Sequence, residues 1–147
     1  MVILAGLGCQ PKQGIIHADW PDYLGGPDRN HYSELIQITA DNVGQLEIAW
    51  TYQTPSAGQM QINPLVIDGV LYGVTPTLQA FALDAATGEE LWLFGDTLRH
   101  WASTSRGVSY WSEGDDQRIF YTIGSALWCL DAKTGVPKQG FGTNGQL

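Results

Sequence analysis

The hexapeptide Leu83-Asp84-Ala85-Ala86-Thr87-Gly88 returns 47 residues later as Leu130-Asp131-Ala132-Lys133-Thr134-Gly135. A recurrence at that spacing constrains the fold more tightly than any composition figure, because periods of about 40 to 50 residues belong to chains that stack one supersecondary unit on the next. Each hexapeptide reads as a turn: Asp accepts bonds from backbone N–H groups two or three residues on, Thr caps, and Gly takes the left-handed conformation that reverses the chain. A large apolar residue follows each copy, Trp92 after the first and Phe141 after the second. A tryptophan so placed can lie flat on a neighbouring unit and bury on the order of 200 Å². Asp84, Thr87, Gly88 and Trp92, with Asp131, Thr134 and Gly135, are therefore candidate docking turns between repeats.

The segments ahead of each turn have the alternation and β-branched or aromatic content of strands. Pro64 to Ile67, the pair Asp68-Gly69 and Val70 to Val74 predict a hairpin, since Asp-Gly supplies the positive φ angles of a type I′ turn. Leu78 to Leu83 and Glu90 to Phe94 predict two further strands. In the second unit Gly107 to Trp111, an acidic tip around Glu113, Gly114, Asp115 and Asp116, then Arg118 to Thr122 and Ala126 to Leu130 repeat the scheme. Both units read as four-stranded antiparallel meanders of propeller-blade length. Earlier, a turn at Asn42-Val43-Gly44-Gln45-Leu46 followed by Ala49-Trp50-Thr51-Tyr52 reads as the closing half of another unit. No window holds a sustained 3.6-residue apolar period, so the expected class is all-β.

The chain then divides into a leader or flexible tail (1–16), an N-terminal lead-in ending in the closing strand of a blade (17–58), a first blade (59–98) and a second blade (99–147). A propeller closes with about four blades at the least. About two blades plus a strand predict a partial propeller whose remaining blades lie outside these 147 residues, a truncated or degenerate reading frame being one explanation.

Charge excludes one class of partner. The formal net charge is −8, and the seven Lys and Arg are scattered singly; counterion release on nucleic acid needs clustered cations. Two cysteines, Cys9 and Cys129, give neither a disulfide framework nor a metal spacing. Cys129 lies in an apolar run and reads as a buried, inert thiol. The acidic tip reads as a solvated hairpin turn, not a metal site. Met1 to Gly8 are apolar or Gly and too few to span a bilayer. Followed by Cys9, they look like the end of a lipoprotein signal, which predicts a periplasmic or otherwise exported chain with Cys9 as the acylated membrane anchor. A flexible tail behind a displaced start codon is the alternative.

One set of motifs carries a family resemblance. Asp19-Trp20-Pro21-Asp22-Tyr23, Tyr32-Ser33, Gln37-Ile38-Thr39, Gln59-Met60-Gln61-Ile62-Asn63-Pro64, Arg106-Gly107-Val108 with Tyr110-Trp111, and both turns resemble the start of the quinoprotein dehydrogenases that use pyrroloquinoline quinone (PQQ), most of all their glucose dehydrogenase-like branch. The resemblance implies an eight-bladed propeller holding PQQ beside Ca²⁺ in its central funnel. It also implies oxidation of a sugar or alcohol by hydride transfer to the quinone, with a carboxylate base and Ca²⁺ assisting, and a membrane quinone or a cytochrome as electron acceptor.

Residue by residue, the resemblance places Arg106 against an acidic group of the quinone, which suits a guanidinium; taken alone, the same arginine reads as a solvated strand-edge residue. Gln61 stands where relatives often carry glutamate at the cofactor rim, and as glutamine it keeps hydrogen-bonding capacity without charge. Its plainer reading is a polar strand-end residue. His100 and Trp101 occupy the positions at which some alcohol-oxidising relatives carry adjacent cysteines, six residues ahead of the arginine. His100 is a cofactor contact or a loop histidine. Thr122 lies near a cofactor-contacting threonine of the family. The catalytic carboxylate and the Ca²⁺ ligands of the family fall beyond residue 147, so no catalytic or metal-binding residue is assigned and the chain alone is expected to be inactive. The rival reading is a non-catalytic propeller scaffold, a lipoprotein of the outer-membrane assembly type built from the same repeats.

Overall fold

The computed structural model describes residues 19–96 and 105–147; the leader, including Cys9, and the segment holding His100 and Trp101 lie outside the described residues. Four strands, β1 (Leu65–Ile67), β2 (Val70–Val74), β3 (Ala80–Asp84) and β4 (Glu90–Phe94), form one antiparallel meander in chain order. A second sheet follows, made of β5 (Ser109–Glu113), β6 (Asp116–Ile123) and β7 (Ala126–Asp131), again antiparallel and in chain order.

The β1–β2 connection is the two-residue turn that its sequence demands. Asp68 and Gly69 have φ of 50° and 76°, and Ile67 pairs with Val70 directly across them. Between β3 and β4, Asp84 Oδ1 accepts from the backbone N–H groups of Ala86 and Thr87 and from the Thr87 hydroxyl, while Gly88 sits at φ 76°. Asp131, Lys133, Thr134 and Gly135 repeat the same four features after β7.

Strand pleating sorts the side chains into layers. In the first sheet Leu65, Tyr72, Ala82 and Trp92 form one cross-strand row. That row faces Ile119, Tyr121 and Leu130 of the second sheet, and together they form one continuous core. Aromatic contacts stitch the two sheets: Tyr72 to Tyr110 at 6.4 Å, Phe94 to Tyr121 at 6.3 Å and Phe94 to Trp128 at 5.1 Å between ring centroids. The opposite face of the first sheet is covered by the N-terminal segment, with Tyr52 on Phe81 at 5.2 Å.

Two features differ from the sequence expectation. The second sheet has three strands, and its fourth place is filled in two short pieces. Val136 and Lys138 pair with Asp131 and Cys129, and Gly145 and Leu147 pair with Cys129 and Leu127. Pro137 lacks an N–H, and Gly140, Gly142 and Gly145 all adopt positive φ, so this stretch turns twice instead of running straight. The segment around Trp50 is extended but belongs to no ladder among the described residues. Its indole is nevertheless docked: Nε1 donates to the Ala85 carbonyl at 3.2 Å, and the ring covers Gly88. Smaller shifts have local causes. Leu78 sits in a turn at φ 65°, so β3 starts at Ala80. Gly107 leaves the β5 line for a different partner, described next.

Candidate functional site

The two sheets approach each other not only through their cores but at the leads into their first strands. Residues 61–64 run into β1 and residues 105–108 run into β5, and the two leads form a parallel bridge at Asn63 and Gly107. The Asn63 N–H donates to the Arg106 carbonyl at 3.0 Å. Gly107 adopts φ 127°, and a Cβ there would stand 2.8 Å from the Asn63 carbonyl oxygen. Only glycine satisfies both constraints. The Ser105 hydroxyl closes the turn, accepting from the Gly107 N–H at 3.1 Å and donating to the Gly107 carbonyl at 3.2 Å.

A third element walls this junction. Trp20 pairs with Val66 through two backbone bonds of 2.7 and 3.1 Å, and Asp19 Oδ1 accepts from the Asp68 N–H at 3.0 Å, so the N-terminal lead-in is laid along the free edge of β1. It then enters a 3-10 turn, Tyr23–Gly25, capped by Asp22, whose carboxylate accepts from the Tyr23 N–H. The result is an open pocket of about 200 Å³ lined by Tyr23, Asn63, Leu65, Arg106, Gly107, Val108 and Ser109. Arg29 stacks on the outer side chain of this wall, 5.5 Å from the Tyr23 ring centroid.

Of the residues singled out from sequence, Arg106 is the one the structure brings into the pocket. Its side chain is exposed, and among the described residues no carboxylate pairs with it. Gln61 is half-buried on the same lead, two residues ahead of Asn63, and does not line the pocket. Thr122 lies on β6, pairs with Leu127 of β7 and points away from the core to solvent; it does not line the pocket either. His100 lies outside the described residues. The Asp-Thr-Gly turns are at the other end of the sheets, where the Ala85 N–H donates to the Gly69 carbonyl beside the β1–β2 turn. Tyr23 and Asn63 lie in motifs that carry the resemblance but are assigned no role there, and Ser105 carries no signal of its own in the sequence. What points to them is indirect: a glycine directly after a lone arginine marks a place where another backbone comes close.

Shifted titrations belong to groups outside the pocket lining. Burial pushes the Tyr72 hydroxyl up to about 12, with Tyr110, Asp68 and Asp131 adding to it, so it stays a neutral core group. Burial also raises Tyr121, whose hydroxyl has no hydrogen-bond partner among the described residues. Asp116 is held at about 2 by hydrogen bonds from Arg118 and Lys138. Asp131 is lowered as well: burial works against it, and bonds from Lys138 and Thr134 outweigh that. This charged group fastens the C-terminal residues to β6 and β7. Among the described residues no cluster of three His, Cys, Asp or Glu side chains is placed to hold a metal, and no helix is long and apolar enough to cross a membrane.

Comparison with known proteins places these features in context. Residues 20–147 match the family described as PQQ: glucose/ethanol/alcohol dehydrogenase, beta-propeller domain. The dehydrogenase subunit of the quinone alcohol dehydrogenase of Gluconobacter oxydans (strain 621H) is 37% identical over 124 residues, which is 80% of this chain and 16% of that protein. The quinoprotein glucose dehydrogenase of Escherichia coli (strain K12) is 36% identical over 108 residues, 65% of this chain and 14% of the relative. Among solved structures, the quinohemoprotein alcohol dehydrogenase of Comamonas testosteroni superposes with a TM-score of 0.73 at 28% identity, over 87% of this chain and 19% of that one.

Proposed function

The chain belongs to the PQQ-using glucose, ethanol and alcohol dehydrogenase propellers, and from that premise we propose that it supplies one wall of a quinone pocket in a dehydrogenase that oxidises sugars or alcohols and passes electrons to a quinone or a cytochrome. One observation carries this reading: Arg106, an exposed arginine without a carboxylate partner among the described residues, stands at the mouth of a pocket built where two blades meet.

The donor set fits the group. PQQ is a planar ortho-quinone bearing carboxyl groups, and when bound it takes up the electrons that the substrate loses. A guanidinium can hold a carboxylate in a two-point, planar geometry that lysine cannot reproduce. Arg106 is assigned to bind and orient an acidic edge of the quinone, and Gln61 to present a neutral amide at the rim. His100 and Thr122 are proposed for the cofactor roles implied by the resemblance, Thr122 from the solvent face of β6 outside the pocket lining. Ca²⁺ is expected on residues other than these. Export with acylation at Cys9 completes the proposal and rests on the leader alone.

The test is titration of the 147-residue chain with PQQ, followed by quenching of tryptophan fluorescence, for the unsubstituted protein and for Arg106→Ala. A loss of affinity of roughly tenfold or more is expected, the size of a charge-assisted hydrogen-bond pair. Equal affinity in the two proteins would refute the assignment. In a parallel assay with PQQ and Ca²⁺, this chain alone should give no dye reduction with glucose or simple alcohols.

A further inference from the structure

We propose that the Asn63–Gly107 bridge, together with the Ser105 hydroxyl, is the positioning device for the Arg106 guanidinium; this rests on the assignment of Arg106 to the quinone. Arg106 has no side-chain partner among the described residues to hold it. What the structure fixes is the backbone from which the side chain starts, and it fixes it on both sides. Its carbonyl is held by the Asn63 N–H from the neighbouring sheet at 3.0 Å. The next residue, Gly107, is locked by a conformation closed to other residues and by two bonds with Ser105.

The consequence is specific. The arginine is carried by the second sheet but referenced to the first, so its position relative to Tyr23 and Leu65, which belong to the first sheet's side of the pocket, is defined by one backbone bond across the junction. The role assigned here to Ser105, Gly107 and Asn63 is to hold the Arg106 backbone. They act through Arg106, Asn63 by its backbone N–H. Gly107→Ala places a methyl group against the Asn63 carbonyl and must part the two leads. Ser105→Ala is milder, removing the acceptor of the Gly107 N–H while leaving the core untouched.

The experiment measures PQQ affinity of the 147-residue chain by tryptophan quenching, alongside exchange of the Asn63 amide with no PQQ present. Expected are a several-fold weakening in Ser105→Ala with rescue by Ser105→Thr, and a larger weakening with faster Asn63 exchange in Gly107→Ala. The decisive arm is the double variant. If Gly107 acts through Arg106, adding Gly107→Ala to Arg106→Ala costs nothing further, whereas independent effects would multiply. Multiplying effects, or full affinity in both Gly107→Ala and Ser105→Ala while Arg106→Ala is weak, would overturn the positioning role and leave the Arg106 assignment standing. No loss in Arg106→Ala, or no binding by the unsubstituted chain, would overturn the assignment and this inference with it. Ser105→Ala should keep its unfolding midpoint, so a failure of Gly107→Ala to fold leaves the serine pair to decide.

Discussion

A Cβ built on Gly135 would stand 2.7 Å from Cδ2 of Trp92, so the tryptophan of the first sheet occupies the space that a side chain on the second sheet's turn would need. The indole N–H of the same residue donates to the Ala132 carbonyl at 2.9 Å. Trp50 stands in the same relation to Gly88 and Ala85, one unit earlier. The glycine of each turn therefore does two jobs, reversing the chain and making room for the tryptophan of the preceding unit.

Gly135→Ala should consequently be more harmful than the same change at Gly124. Both residues have positive φ, 70° and 60°, but a Cβ at Gly124 meets nothing within 4 Å. Conformational strain alone costs about 1 kcal/mol, and forcing a methyl group into an occupied site adds about 1–3 kcal/mol. Urea unfolding should show Gly135→Ala less stable than Gly124→Ala; equal midpoints would mean that the Trp92 contact contributes nothing.

Trp92 separates the hydrogen bond from the packing. It is 9% exposed and lies in the core between the sheets. Trp92→Phe keeps much of the apolar area and loses the bond to Ala132, for about 1 kcal/mol. Trp92→Ala loses both, for about 3–5 kcal/mol. The two variants, compared by denaturant midpoint, should fall in that order.

These residues also show what could be read without coordinates and why. Asp-x-x-Thr-Gly is a local code, since its bonds join residues two to four apart, and so the turns and the hairpin at Asp68-Gly69 were legible. The broken edge beside β7 was not. Pro137 and three glycines forbid a straight strand, but where the chain goes instead depends on Cys129 and Leu127, which are paired with it only in the fold. Arg106 is assigned a role through a resemblance, whereas Asn63, within a matching motif, and Ser105 are not. Their role depends on a backbone contact between segments more than forty residues apart, and a bond through a main-chain N–H leaves no mark on the residue type.

Cys9→Ser tests the leader independently of the fold. If Cys9 is an acylation point, expression in a bacterial host with labelled palmitate should give a labelled, membrane-sedimenting chain that the serine variant abolishes. Unlabelled chain in both cases would leave the segment as an ordinary tail.

The C-terminal edge should be acid-sensitive. Lys138 reaches both Asp116 at 2.9 Å and Asp131 at 3.1 Å, Arg118 pairs with Asp116 from within β6, and Cys129 lies buried beneath them. Hydrogen bonds from Arg118 and then Lys138 hold the Asp116 carboxyl at about 2, against an ordinary 3.8. A carboxyl lowered in the folded state stabilises it fully above the ordinary value, and that contribution disappears as pH falls through the folded value. The Asp116 contribution is therefore lost between pH 3.8 and about 2, and Asp131, lowered as well, adds to the loss on the acid side. The backbone bonds between Leu127 and Leu147 lie on the same edge of β7. Followed by NMR during an acid titration, the Leu147 amide should shift and broaden over this window while core amides such as Ile119 hold. Asp116→Asn should show the loosened edge already at neutral pH and a flatter acid profile. A Leu147 amide that is unmoved down to pH 2 in the unsubstituted chain would show that the backbone pairing, not the charge network, holds this edge in place.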